Sequence, residues 1–107
     1  MAGHDVLYQI GLAAGAMGSV VDLPDTTGNV TLELEGRGIA RVKVGASGTI
    51  TLPDAGFCVQ VYSPSGGGKT GTVVDSVGGT SIDVADNEAA VFFRSGESTW
   101  YGIELSN

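Results

Sequence analysis

Alternation of apolar and polar residues at a period of two, cut by glycine-bearing turns, constrains this chain more than any other feature. From Asn29 onward Val30, Leu32 and Leu34 alternate with Thr31, Glu33 and Glu35. The rhythm recurs in Ala40, Val42 and Val44 against Arg41 and Lys43, and in Ile50 and Leu52 against Thr49 and Thr51. It continues with Phe57, Val59 and Val61 against Cys58, Gln60 and Tyr62, then Ile82 and Val84, then Tyr101, Ile103 and Leu105. A period of two puts one set on a buried sheet face and the other on the opposite face. The breaks are short: Gly36-Arg37-Gly38, Gly45-Ala46-Ser47-Gly48, Pro53-Asp54-Ala55-Gly56, Gly78-Gly79 and Ser95-Gly96-Glu97. Glycine accepts the positive φ of tight turns. The expected fold is all-β: an antiparallel β-sandwich, a jelly-roll-like fold or a small barrel of about eight strands.

Two stretches depart from the rhythm. Ala89-Ala90-Val91-Phe92-Phe93 is apolar on both parities, as in a strand buried on both faces. By parity, Phe92 and Trp100 fall on the face opposite the main core, either half-covered by a loop or at a subunit or partner interface. The segment 1–28 differs in texture. Val6, Ile10, Ala13 and Met17 have helical spacing, but Gly11, Gly15 and Gly18 interrupt it. The expected organisation is an N-terminal arm or short helix over 1–28 and a single β domain over 29–107. Val6, Leu7, Ile10, Leu12 and Met17 are the arm's candidate contacts with a neighbouring surface. Leu23-Pro24-Asp25 recurs as Leu52-Pro53-Asp54 and reads as a reused turn.

Charge excludes several function classes. The formal net charge is −7, and the five basic residues are scattered. Phosphate-backbone binding needs clustered Lys and Arg, so nucleic acid is not an expected partner. Anionic membranes are excluded on the same ground. The uncharged run Val6–Val21 lacks the basic flank of a signal peptide and is too short and glycine-broken to span a bilayer. One cysteine, Cys58, permits no intrachain disulfide and no multi-cysteine zinc site.

The motifs that could carry chemistry have simpler readings. Ser63-Pro-Ser-Gly-Gly-Gly-Lys-Thr70 ends like a phosphate-binding loop, G-x-x-x-x-G-K-[ST]. Its first glycine is replaced by Ser63, and Thr70-Gly-Thr-Val-Val74 favours strand over the required helix. It reads as an exposed hairpin loop, with Lys69 a lone surface charge. Gly78-Gly79-Thr80-Ser81-Ile82-Asp83 resembles a single calcium-binding nonapeptide, with Ser81 in place of its third glycine; such sites need stacked copies, so no metal is expected. Asn29-Val30-Thr31 is a glycosylation sequon, relevant only in a secreted eukaryotic chain. His4 is the one histidine and reads as a solvated terminal residue. Cys58 reads as an inert packed thiol, and Asp83, Asp86 and Glu88 as a solvated turn with no fixed separation. No catalytic residue, cofactor or enzymatic activity is expected.

From Gly48 to Leu105 the order of strands and turns resembles a known family. The carrying segments are Thr49-Ile-Thr-Leu-Pro-Asp54, Phe57-Cys-Val-Gln-Val-Tyr62, Thr72-Val-Val, Gly79-Thr-Ser-Ile-Asp83, Ala90-Val-Phe-Phe-Arg94 and Ser98-Thr-Trp-Tyr101. They are similar to small all-β bacteriophage virion modules, found in tail and head fibres and in capsid decoration proteins. The resemblance covers just over half the chain and carries no active-site signature. It implies a virion structural protein that is usually a homotrimer, located on the capsid surface and made in the host cytoplasm. The short reach of the chain beyond the β module suits a decoration (cement) protein bound to the major capsid protein. The alternative is a tail- or head-fibre module binding a host glycan through Gln60, Tyr62 and Trp100. A bacterial carbohydrate-binding or assembly module is a further alternative.

Overall fold

Alternation and turns produce strands almost where the sequence puts them. The computed structural model describes residues 20–34 and 38–106. Among the described residues the chain forms nine strands and no helix. They are β1 (Val21–Asp22), β2 (Val30–Thr31), β3 (Ile39–Lys43), β4 (Gly48–Thr51), β5 (Cys58–Ser63), β6 (Gly71–Val74), β7 (Ser81–Val84), β8 (Glu88–Arg94) and β9 (Trp100–Ser106). Five form one sheet in the order β1-β3-β5-β8-β9, and four form the other in the order β2-β4-β6-β7.

The pairing differs from the antiparallel expectation. β1, β3 and β5 are parallel neighbours, and so are β2, β4 and β6. Only β6–β7, β5–β8 and β8–β9 are antiparallel. Most of the glycine turns therefore do not close hairpins. Gly45–Gly48 carries the chain from the five-stranded sheet to the other, and Pro53–Gly56 carries it back. The first six strands wind alternately through the two sheets, and each winding stacks on the one before. Asp22 and Arg41 meet nineteen residues apart, Asn29 and Thr49 twenty apart, Ser47 and Thr70 twenty-three apart. The barrel expectation is also overturned. Each sheet ends in edge strands, β1 and β9 in one and β2 and β7 in the other.

The winding exposes a repeat. Gly28-Asn-Val-Thr-Leu32, Gly48-Thr-Ile-Thr-Leu52 and Gly71-Thr-Val-Val-Asp75 lie in register, with Val30, Ile50 and Val73 stacked. The leading glycine is dictated by close approach. A Cβ on Gly48 would lie 2.5 Å from the carbonyl carbon of Gly28, and one on Gly71 would lie 2.8 Å from Ile50 Cδ1. The two Leu-Pro-Asp copies fall at non-equivalent places, one after β1 and the other after β4.

The main core lies between the sheets. Val42, Val59, Val61, Ala90, Phe92 and Trp100 of the five-stranded sheet pack with Ile50, Leu52, Val73 and Val84 of the other. The parity assignment of Phe92 and Trp100 is corrected by this packing, since they are 0% and 2% exposed inside the core. Trp100 Nε1 donates to the Pro53 carbonyl at 2.9 Å, which satisfies the one polar atom of its ring. Gly102, facing the same way, leaves room for Ile82 and Phe92, where a Cβ would collide with both. β9 therefore turns Tyr101, Ile103 and Leu105 to the outer face. Alternation pointed the other way, since Trp100 shares its face with Gly102 and Glu104, yet it is Trp100 that fills the core. β8 matches its two-sided reading: Ala90, Val91 and Phe92 are all buried.

Residues 20–28, counted with the N-terminal segment in the sequence reading, run beside β3 as β1 and the turn after it. Thr26 accepts from the Gly45 amide through Oγ1 at 3.0 Å and donates its own amide to Lys43. Val6, Leu7, Ile10, Leu12 and Met17, with His4, lie outside the described residues.

Candidate functional site

The outer face of the five-stranded sheet gathers most of the side chains with chemical potential. Register places them in three rows across the strands. Ile39, Cys58, Phe93 and Tyr101 form one row. Asp22, Arg41, Gln60, Val91 and Ile103 form the middle row, and Lys43, Tyr62, Ala89 and Leu105 the third. Within this face Ile39, Cys58 and Val91 are buried, packed with Val20, Phe93 and Leu105 as a second apolar cluster. The first and third rows are separated by four residues along β5, about 13 Å.

The first row is an aromatic end. Phe57 and Phe93 meet edge to face, with centroids 6.2 Å apart and planes at 70°. Tyr101 pairs across the strand with Phe93 and is 70% exposed. Cys58, beneath them, is fully buried, and desolvation pushes its thiol up to about 12. A thiol held neutral is a poor nucleophile.

The other end is polar and concave. Asp22, Arg41, Gln60, Tyr62, Ala89 and Val91 line a shallow open groove of about 540 Å³. Arg41 Nε donates to Asp22 Oδ1 at 2.7 Å and Nη2 to Oδ2 at 3.1 Å. This fork holds the Asp22 carboxyl below the usual carboxylate range and raises Arg41 further. Lys43, in the third row, faces Asp25 at 3.8 Å, so both cations at this end of the face stand beside a carboxylate. Gln60 and Tyr62, two of the candidate glycan contacts of the alternative reading, both line this groove. Trp100, named with them, is on the other side of the sheet in the core. Arg41 and Asp22 were missed, because only the parallel β1–β3 pairing brings them together.

The remaining motifs resolve into structural roles. Ser63–Thr70 leads from β5 to β6, which lie in different sheets, so it is not a hairpin. Gly66 and Gly68 take positive φ, 89° and 67°. The amide of Gly68 donates to Asp86 Oδ1 at 3.0 Å, and the amides of Gly66 and Gly67 also act on this carboxylate to hold it low. The glycine loop is thus an anion cradle, and the anion it holds is the chain's own Asp86. Asp83 accepts from Thr72 Oγ1 at 2.7 Å and Glu88 from the Ala85 amide at 2.9 Å. Asp83, Asp86 and Glu88 therefore serve three separate partnerships, not one carboxylate pair. Gly79 donates to Asp75 in the β6–β7 turn, and Asn29 Oδ1 accepts from Thr49. Among the described residues no group of three His, Cys, Asp or Glu side chains is placed to hold a metal.

Comparison with known proteins finds no matching family model, no matching curated protein and no matching solved structure.

Proposed function

We propose that this chain is a structural module of a bacteriophage virion, a trimeric decoration (cement) protein that sits on the major capsid protein and stabilises the head. The reading draws on the order of strand and turn motifs between Gly48 and Leu105. The observation that carries it is the aromatic end of the outer face. Phe57 and Tyr101 are 40% and 70% exposed beside the apolar cluster of Ile39, Cys58 and Val91. Large apolar side chains clustered on one face of a small domain mark a contact surface. In this reading the two sheets are the layers of a sandwich, the aromatic end is the subunit contact, and the apolar segment 6–19, ahead of Val20 and β1, docks onto the capsid or a neighbouring subunit.

The test is assembly. Light scattering should give three times the chain's 10.8 kDa. Tyr101→Lys should reduce that mass, and a monomeric wild type overturns the reading. Deleting residues 2–19, which leaves Val20 and β1 in place, should abolish binding to expanded capsids; unchanged binding removes the arm from the proposal.

A further inference from the structure

The groove at the polar end of the outer face is lined by side chains of one chain. Arg41 carries five N–H donors and uses two on Asp22, so three remain to face a ligand. Asp22 retains acceptor capacity on both oxygens after those two bonds. Gln60 lies directly opposite Arg41 on β5 and adds an amide that both donates and accepts. Tyr62, two residues along the same face, is 38% exposed and lines the groove with Arg41. Ala89 and Val91 supply an apolar floor. The fork holds Arg41 and Asp22 against each other, so a ligand does not have to order these two on binding.

From this array we infer that the groove binds a neutral oligosaccharide. A pyranose presents adjacent hydroxyls, each donor and acceptor at once, and C–H faces that pack on an aromatic ring. The Arg41–Asp22 fork and Gln60 match the hydroxyls, while Tyr62 and the apolar floor match the C–H faces. Charge selects against the other ligand classes. Arg41 and Lys43 are each paired with a carboxylate, leaving no uncompensated cation for an anionic sugar. The chain's −7 charge repels polyanions further. The site goes beyond the assembly reading and stands or falls separately from it.

The probes are cellohexaose, maltohexaose and mannohexaose, with a galacturonic acid oligomer as the anionic control. Titration of the full chain is followed by NMR at the Arg41 Nε–H and the Gln60 side-chain amide. The expected result is that at least one neutral hexamer shifts both signals and the anionic oligomer shifts neither. Tyr62→Ala should weaken that binding about tenfold, as loss of a central aromatic contact does, while Tyr62→Phe keeps it. Arg41→Lys, which keeps the charge and loses the fork, should also weaken it. No shift with any neutral hexamer at millimolar concentration overturns the proposal, and so does preference for the anionic oligomer or binding indifferent to Tyr62→Ala. Light scattering on the same samples reports assembly independently, so failure of the groove and failure of the trimer are told apart.

Discussion

Arg41 and Asp22 lie nineteen residues apart in the chain and side by side on parallel strands, joined by hydrogen bonds of 2.7 and 3.1 Å. The fork lowers the Asp22 pKa, so whatever stability it contributes is present above the ordinary carboxylate range and lost as pH falls through the folded value. Both side chains are exposed, 47% and 68%, and solvent screens the pair. The expected outcome is a low Asp22 titration by carboxyl NMR that returns toward 3.8 in Arg41→Gln, with little change in the thermal midpoint.

Gly48 stacks on Gly28 where one winding passes over the previous one. Gly48→Ala places a methyl 2.5 Å from backbone that cannot move aside, and should destabilise by about 1–3 kcal/mol in chemical denaturation. Gly67→Ala is the control. Its nearest neighbour would be at 3.6 Å, so midpoint and slope should match the wild type.

Phe92 is fully buried between the sheets, against Gly102 and within the cluster that holds Trp100. Phe92→Ala should cost about 3–5 kcal/mol. Trp100, 2% exposed, should emit as a buried indole in the wild type and shift to longer wavelength only on unfolding. A water-like emission in the native protein would contradict the core placement.

Cys58 has a thiol raised from 9.0 to about 12 by burial. Well below the unfolded value of 9.0 neither folded nor unfolded chain ionises it, and it has no effect on the pH dependence there. Between 9 and 12 the unfolded chain loses the proton and the folded chain does not, so stability falls as pH rises, by at most about 1.4 kcal/mol per unit. Cys58→Ala should flatten that alkaline loss in denaturation curves. In native protein at neutral pH a thiol reagent should label Cys58 only at the rate of opening.

The glycine loop answers to Asp86, not to Lys69. Asp86→Asn removes the charge cradled by Gly66–Gly68, and the Gly68 amide should then exchange faster with solvent. Lys69→Ala should leave folding, exchange and assembly unchanged, because the Lys69 side chain is exposed and its backbone carbonyl still accepts from Ser63 Oγ.

Much of the architecture is local and was readable. Val42, Ile50, Val59 and Val61 alternate with polar residues because one sheet face is buried, and every one of them is in the core. The two-sided reading of Ala89–Phe93 followed from the same logic, because a strand covered on both faces is apolar at both parities. The groove was half legible: Gln60 and Tyr62 share a strand and a parity, so their proximity is a property of one segment. Arg41 and Asp22 belong to two further strands. The in-register Gly28, Gly48 and Gly71 segments were the available signal for that stacking, but unequal spacings of twenty and twenty-three residues blurred the period.

By itself the sequence determined where β3 to β9 lie along the chain, though not β1, and which residues of β3, β4 and β5 face the space between the sheets. Burial of a sheet face imposes a period of two on each segment, whatever its neighbours. Only the tertiary structure decided that the first six strands wind in parallel through two sheets, that β9 turns Trp100 inward and Tyr101 outward, and that Asp22 meets Arg41 beside Tyr62. Partner choice is a contest between distant segments, and alternation is the same for parallel and antiparallel neighbours. The inward face of β9 was settled by volume: Trp100 fills the space between the sheets, and Gly102 leaves room for Ile82.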